Sequence, residues 1–99
     1  MQFVSFKQFV EMPKHGYLFF FSKDESCGLC KQQQTELEKY DIPRLIKVSI
    51  SDDDDFKGIG VVTVPLMRFY NTEEKVAYQR NGVLYEKQMR ELLEAFNVK

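Results

Sequence analysis

Tyr17-Leu18-Phe19-Phe20-Phe21-Ser22-Lys23-Asp24-Glu25-Ser26-Cys27-Gly28-Leu29-Cys30 is the stretch that decides how the rest of this chain is read. Five consecutive apolar residues, Tyr17 to Phe21, have the length of a strand but no alternation, the pattern of a central strand covered by helices on both faces. A short polar turn follows, then two cysteines three positions apart. Good helix formers run from Leu29 to about Tyr40, with Leu29, Leu37 and Tyr40 marking a thin apolar stripe, and Asp41-Ile42-Pro43 ends the run. The chain has 2 cysteines, so its whole thiol content lies in this one C-x-x-C. On the first turn of a helix the two can close a disulfide on each other, and the helix amides favour the thiolate of the first. The pattern suggests redox chemistry. Two small buried apolar residues, or two metal ligands, are the other uses of such a pair.

Working outward, Ser5 and Gln8 have capping-box spacing, and Phe6, Phe9 and Val10 share a helical face before Pro13, which predicts a short first helix. Gln2 to Val4 can form a small strand ahead of it. Leu45 to Ile50 reads as a strand with Ile46, Val48 and Ile50 on one face and Lys47 and Ser49 on the other. The acidic run Asp52 to Asp55 lacks the glycine and glutamate positions of a calcium loop and reads as a solvated turn, its last Asp placed to cap a short helix over Phe56 to Ile59. Val61-Val62-Thr63-Val64-Pro65 leads into a strand from Leu66 to Tyr70. Asn71 to Glu74 is a turn, Lys75 to about Gln79 a hairpin partner, and Arg80-Asn81-Gly82 turns the chain again. Met89, Leu92, Leu93 and Phe96, spaced by three and four, define an amphipathic last helix that must cover a sheet face. The elements together specify an α/β domain with a mixed sheet flanked by helices.

Ninety-nine residues suit one domain spanning 1–99, and 9 phenylalanines supply much of its core. A net charge of −1 with no basic stripe gives no surface for neutralising phosphates, so nucleic acid is not an expected partner. The longest strongly apolar run is five residues, too short to span a bilayer, and the amino terminus lacks a leader pattern, so a cytoplasmic protein without a membrane partner is expected. In a reducing compartment two cysteines read as a working dithiol or metal ligands rather than a scaffold. Structural zinc takes four ligands, and besides the cysteines only His15, in a loop, is available, so no metal is expected.

Four features in this order resemble the thioredoxin family: the apolar strand, C-G-x-C at a helix start, Val64-Pro65 before the hairpin, and Asn81-Gly82 before the final helix. The resemblance covers nearly the whole chain and implies a thioredoxin-like fold. It further implies thiol-disulfide oxidoreductase activity on protein disulfides, no bound cofactor beyond a redox-active Cys27-Cys30 disulfide, and a monomer whose reducing equivalents come from NADPH through a thioredoxin reductase. Cys27 would be the nucleophile, its pKa lowered from ~8.5 into about 3.5–7.5, and Cys30 the resolving thiol. The proline matching Pro65 is cis in that family. The backbone of Thr63 and Val64 would pair with an extended substrate segment, and Gly82 would belong to the same docking rim. Gly28 and Leu29 are the spacer, Gly28 leaving room for a substrate backbone and Leu29 adding apolar surface. Lys31 and Lys47 are candidates for electrostatic tuning.

Three positions depart from the family's pattern. Ser26 and Leu29 stand where tryptophan and proline are usual beside the cysteines, and Phe21 replaces a buried aspartate that helps remove a proton from the second cysteine. Asp24, Glu25 and Lys47 are candidates to substitute for that acid. Thr63-Val64-Pro65 also resembles glutaredoxins, in which Lys23 could meet a glutathione carboxylate and the glutathione system would recycle the dithiol. Their Gly-Gly-x-x-acid pattern is absent, with Arg80-Asn81-Gly82-Val83 in its place. A thioredoxin-fold interaction module with little turnover is the remaining alternative.

Overall fold

The computed structural model describes residues 1–23 and 27–98. In chain order these form β1 (Gln2–Ser5), α1 (Phe6–Glu11), β2 (Leu18–Ser22), α2 (Gly28–Leu37), β3 (Leu45–Ser49), a 3-10 turn (Lys57–Ile59), β4 (Leu66–Tyr70), β5 (Val76–Asn81) and α3 (Glu86–Val98). The strands make one sheet in the order β1-β3-β2-β4-β5. β3 runs parallel to both β1 and β2, whereas β4 is antiparallel to both β2 and β5, so the sheet is mixed as the sequence predicts.

β2 lies in the centre, and all five of its residues are buried. Strand alternation divides them between two layers. Leu18 and Phe20 join Leu45, Met67 and Phe69 beneath α2 and α3, together with Cys30, Leu37, Met89 and Leu92. Phe19 and Phe21 face the other way, with Phe9 of α1, Ile46, Val48, Leu66 and Tyr70. Phe9 stands edge-on to both, its ring centroid 4.9 Å from Phe19 and 5.1 Å from Phe21, an arrangement that suits the aromatic quadrupoles. The unbroken apolar run is thus explained: neither face of β2 meets water.

α1 starts with the expected capping box. The Gln8 N–H donates to Ser5 Oγ at 3.1 Å, and the Ser5 N–H donates to Gln8 Oε1 at 2.8 Å. Its far end is closed by Lys14, whose Nζ donates to the carbonyls of Phe9, Val10 and Met12. The acidic run forms a turn in which Asp55 Oδ1 accepts the Gly58 N–H at 3.2 Å, and the following helix is a single 3-10 turn. α3 lays Met89 and Leu92 on the sheet and brings Phe96 against Phe69, covering a face as expected.

The extent of β5, the end of α2 at Leu37 rather than about Tyr40, and the face taken by Leu29 differ from the sequence expectation. β5 continues through Arg80 and Asn81, which the turn chemistry placed outside it, because they pair with Met67 and Leu66 at the start of β4. The buried side of α2 is Cys30, Gln33 and Leu37, while Leu29 points outward at 53% exposure. Leu29 therefore belongs to the surface around the cysteines and not to the helix's core stripe. None of the described helices is long and apolar enough to cross a membrane.

Candidate active site

β2 delivers the chain to the rim of the sheet, and α2 begins there with Cys27 as its N-cap residue in extended conformation. Cys27 and Cys30 form a disulfide with Cα atoms 5.2 Å apart. The Cys30 N–H donates to Cys27 Sγ at 3.0 Å, so the first sulfur occupies the place where a capping oxygen normally satisfies an orphan amide. In the reduced protein the same amide and the helix dipole would stabilise a thiolate there. The two sulfurs differ in access: Cys27 is half-buried, Cys30 is 2% exposed beneath the helix. An external disulfide can reach only the first.

The segment before β4 comes up beside this sulfur. The Val64–Pro65 peptide bond is cis, and the Val64 carbonyl oxygen lies 4.0 Å from Cys27 Sγ. Thr63 is exposed, Val64 half-buried and Pro65 buried. Gly82 closes the group, its N–H donating to the Pro65 carbonyl at 2.9 Å. Gly82 has φ +86°, the left-handed region in which a side chain is strained, so the turn after β5 needs a glycine there. Cys27, Val64, Pro65 and Gly82, proposed separately along the sequence, are thus brought together. Gly28 opens onto free space, with no atom within 4 Å of where a Cβ would sit.

The charged candidates lie elsewhere. Lys31 is exposed on α2. Lys47 is buried between β3 and α2, where its Nζ donates to Gln34 Oε1 at 2.7 Å, one helical turn beyond Cys30, and approaches the Phe3 ring at 5.3 Å. Lys23 makes an ion pair with Asp52. His15 is exposed, and its N–H donates to Glu73. Asp24 and Glu25, proposed as replacements for the missing acid, and Ser26 lie outside the described residues. Among the described residues no cluster of three or more His, Cys, Asp or Glu is placed to hold a metal ion.

The fold matches known structures over 98–100% of the chain. A thioredoxin of Malassezia sympodialis (Mala s 13) superposes with a TM-score of 0.69 at 20% identity, covering 98% of this chain and 88% of that one. The chain has the thioredoxin fold. Chloroplastic thioredoxin z matches at TM-score 0.69 and 16% identity over 100% of this chain and 96% of its own. Thioredoxin f2 of Chlamydomonas reinhardtii matches at 0.67 and 19% over 98% and 94%. No protein-family model matches the sequence, and no curated protein matches it.

Within the thioredoxin fold, Gln33 is a residue of the site that the sequence did not single out. It is 0% exposed, its Oε1 accepts the Leu84 N–H at 2.7 Å, and its Nε2 is 3.9 Å from Met89 Sδ. It therefore ties the helix of the cysteines to the loop that carries Gly82. Its signal was the three-and-four spacing Cys30, Gln33, Leu37, a helical stripe completed by a polar residue.

Proposed function

We propose that the protein is a thiol-disulfide oxidoreductase that reduces protein disulfides by dithiol exchange. The observation that carries this reading is the asymmetric pair: an accessible Cys27 at a helix start beside the cis Val64–Pro65 bond, backed by a buried Cys30 within disulfide reach.

The chemistry follows from the positions. An extended substrate segment lies along the backbone of Thr63 and Val64, with Gly82 on the same rim, which sets its disulfide next to Cys27. The Cys27 thiolate attacks one substrate sulfur, forming a mixed disulfide and releasing the other sulfur as a thiolate that takes up a proton. The Cys30 thiol loses its proton and attacks Cys27 Sγ, breaking the mixed disulfide and freeing the second substrate thiol. Two electrons pass to the substrate, and the protein ends in its disulfide form. Gly28 keeps the approach open, Leu29 offers apolar contact, and Lys31 and Lys47 add positive charge on the helix and behind it. For this two-electron couple ~30 mV corresponds to ~1.4 kcal/mol, so modest tuning of either thiol matters.

In the same reading the protein works as a single-domain monomer in the cytoplasm. It is recycled by NADPH through a thioredoxin reductase and needs no metal and no bound cofactor. A glutathione-specific role is the weaker reading because Arg80-Asn81-Gly82-Val83 stands where glutaredoxins carry their Gly-Gly-x-x-acid pattern.

The test is reduction of a protein disulfide by the full chain. Cys27→Ser is expected to abolish it, and Cys30→Ser to trap a mixed disulfide visible by mass spectrometry. Full activity of the Cys27 variant would refute the mechanism. Recycling by glutathione alone would move the protein to the glutaredoxin class, and docking without turnover would make it an interaction module.

A further inference from the structure

On the sheet face away from the cysteines, a cleft of about 380 Å3 opens where the end of α1, the 3-10 turn and the start of β5 converge. Its lining includes Arg68, a charged residue in the middle of β4 that is 2% exposed. Arg68 Nε donates to Gln79 Oε1 at 2.8 Å, and Nη1 donates to the Ile59 carbonyl at 2.9 Å and Tyr70 Oη at 3.0 Å. The guanidinium also sits 5.3 Å from the Phe21 ring and 5.7 Å from the Tyr70 ring. Every one of these partners is neutral. Among the described residues no carboxylate lies within ion-pair distance of Arg68.

Among the described residues no atom accepts a hydrogen bond from Nη2. It is not sealed off either, because the fully buried side-chain polar atom left without a partner among the described residues is Tyr78 Oη. Gly60 adopts φ +82° beside this nitrogen, which lies 3.4 Å from where a Cβ would stand. A guanidinium held by neutral groups in a low-dielectric wall keeps most of its positive potential, and Nη2 is the nitrogen left to donate a charge-assisted hydrogen bond to one carboxylate oxygen.

The surroundings choose between anions. Phe9, Val10, Ile59 and Val76 make apolar walls. At the rim Lys14 is already committed to three carbonyls, and the Glu73 carboxylate is fixed by the N–H groups of Lys14 and His15. Glu74 lies beside it on the lining. Two rim carboxylates repel a multiply charged phosphate more than a monoanion, and apolar walls favour an organic body over an inorganic ion.

We propose that this cleft binds a small monocarboxylate with an apolar body, the carboxylate on Arg68 and the body against Phe9, Val10 and Ile59. The site lies on the opposite face of the sheet from Cys30 and does not depend on the redox reading. The probe is phenylacetate, titrated into the oxidised full chain and followed by amide and arginine Nε resonances, with 2-phenylethanol and inorganic phosphate at matched ionic strength as comparisons. Saturable shifts at Ile59, Gly60 and the Arg68 Nε are expected with phenylacetate. At about five times Kd they should be accompanied by a rise of about 4–8 °C in unfolding midpoint. Arg68→Met is expected to weaken binding at least about tenfold. Val10→Glu, an exposed change at the wall that leaves the guanidinium untouched, should weaken it by about threefold or more. Absence of saturable shifts, an equal response to 2-phenylethanol or phosphate, or unchanged binding in Val10→Glu overturns the proposal.

Discussion

Replacing Gln33 tests whether the redox helix and the Gly82 loop are held together by one buried side chain. Gln33 Oε1 accepts the N–H of Leu84, and both residues are sealed from water. Gln33→Leu leaves that N–H without an acceptor, which costs about 1–3 kcal/mol. Part of this is offset, because the Gln33 amide nitrogen has only the weak acceptor Met89 Sδ at 3.9 Å and its burial cost also disappears. The net expectation is a loss of about 1–2 kcal/mol. With a denaturant slope of roughly 1–3 kcal/mol/M, that is a fall of about 1 M in the urea midpoint of the oxidised protein.

Gln33→Glu separates the hydrogen bond from the shape of the side chain. Its carboxylate can still accept from Leu84, but burial disfavours the charged form and raises its pKa above the unfolded value of about 4.3. The folded state then binds more protons than the unfolded state as the group titrates, so stability falls with rising pH. The variant should approach the parent at pH 4 and drop below it as the pH rises through the folded pKa, while Gln33→Leu shows no such trend relative to the parent. A Gln33→Leu midpoint equal to the parent's, or a Gln33→Glu deficit that does not change with pH, would refute the assigned role.

Three further outcomes are expected. Gly82→Ala forces a side chain into φ +86° where nothing crowds the Cβ, so the cost is conformational, about 1–2 kcal/mol in urea unfolding, with a raised KM for protein disulfides but not for a small one. The Glu73 carboxyl is held below its ordinary pKa first by the His15 N–H and then by the Lys14 N–H. Its contribution is present above the unfolded carboxylate value and lost as pH falls through the lower folded one, so Glu73→Gln should lower the urea midpoint at pH 7, and the deficit should shrink as the pH falls through that lowered value. Phe21→Asp removes a fully buried ring and should destabilise by about 3 kcal/mol or more, leaving the pH profile of disulfide reduction unchanged; a shifted profile would show that position 21 communicates with Cys30.

The parts legible in the sequence are those in which one local pattern has one physical solution. An unbroken apolar run of strand length requires cover on both faces, and β2 has it. Ser5 and Gln8 cap a helix wherever they fall at that spacing. The cis bond at Pro65 and the closeness of Gly82 to it came from the family resemblance, because no local propensity brings residues 27, 65 and 82 together. Gln33 and Arg68 stayed hidden for the opposite reason. A glutamine in a helix stripe or an arginine in a strand is ordinarily a solvated residue, and only the Leu84 amide, or the Ile59 carbonyl and Gln79, turns it into a buried one. β5 runs past the turn chemistry of Arg80 and Asn81 because β4 offers them hydrogen-bonding partners.

Phe21 and Arg68 account for one another, and together they bear on the chemistry of the cysteines. Phe21 pairs with Leu66 across β2 and β4 and turns its side chain to the α1 layer, where its ring lies 5.3 Å from the Arg68 guanidinium. An aromatic face gives a buried cation partial compensation without a countercharge. A carboxylate at position 21 would emerge on this same face, next to Arg68, with the sheet between it and the Cys30 layer. Phe21 therefore does not stand where an acid could serve Cys30, contrary to the sequence expectation; it is part of an aromatic core built around an arginine. In the proposed dithiol mechanism, a group that serves Cys30 has to come from the α2 side of the sheet, the side where Lys47 is held against Gln34.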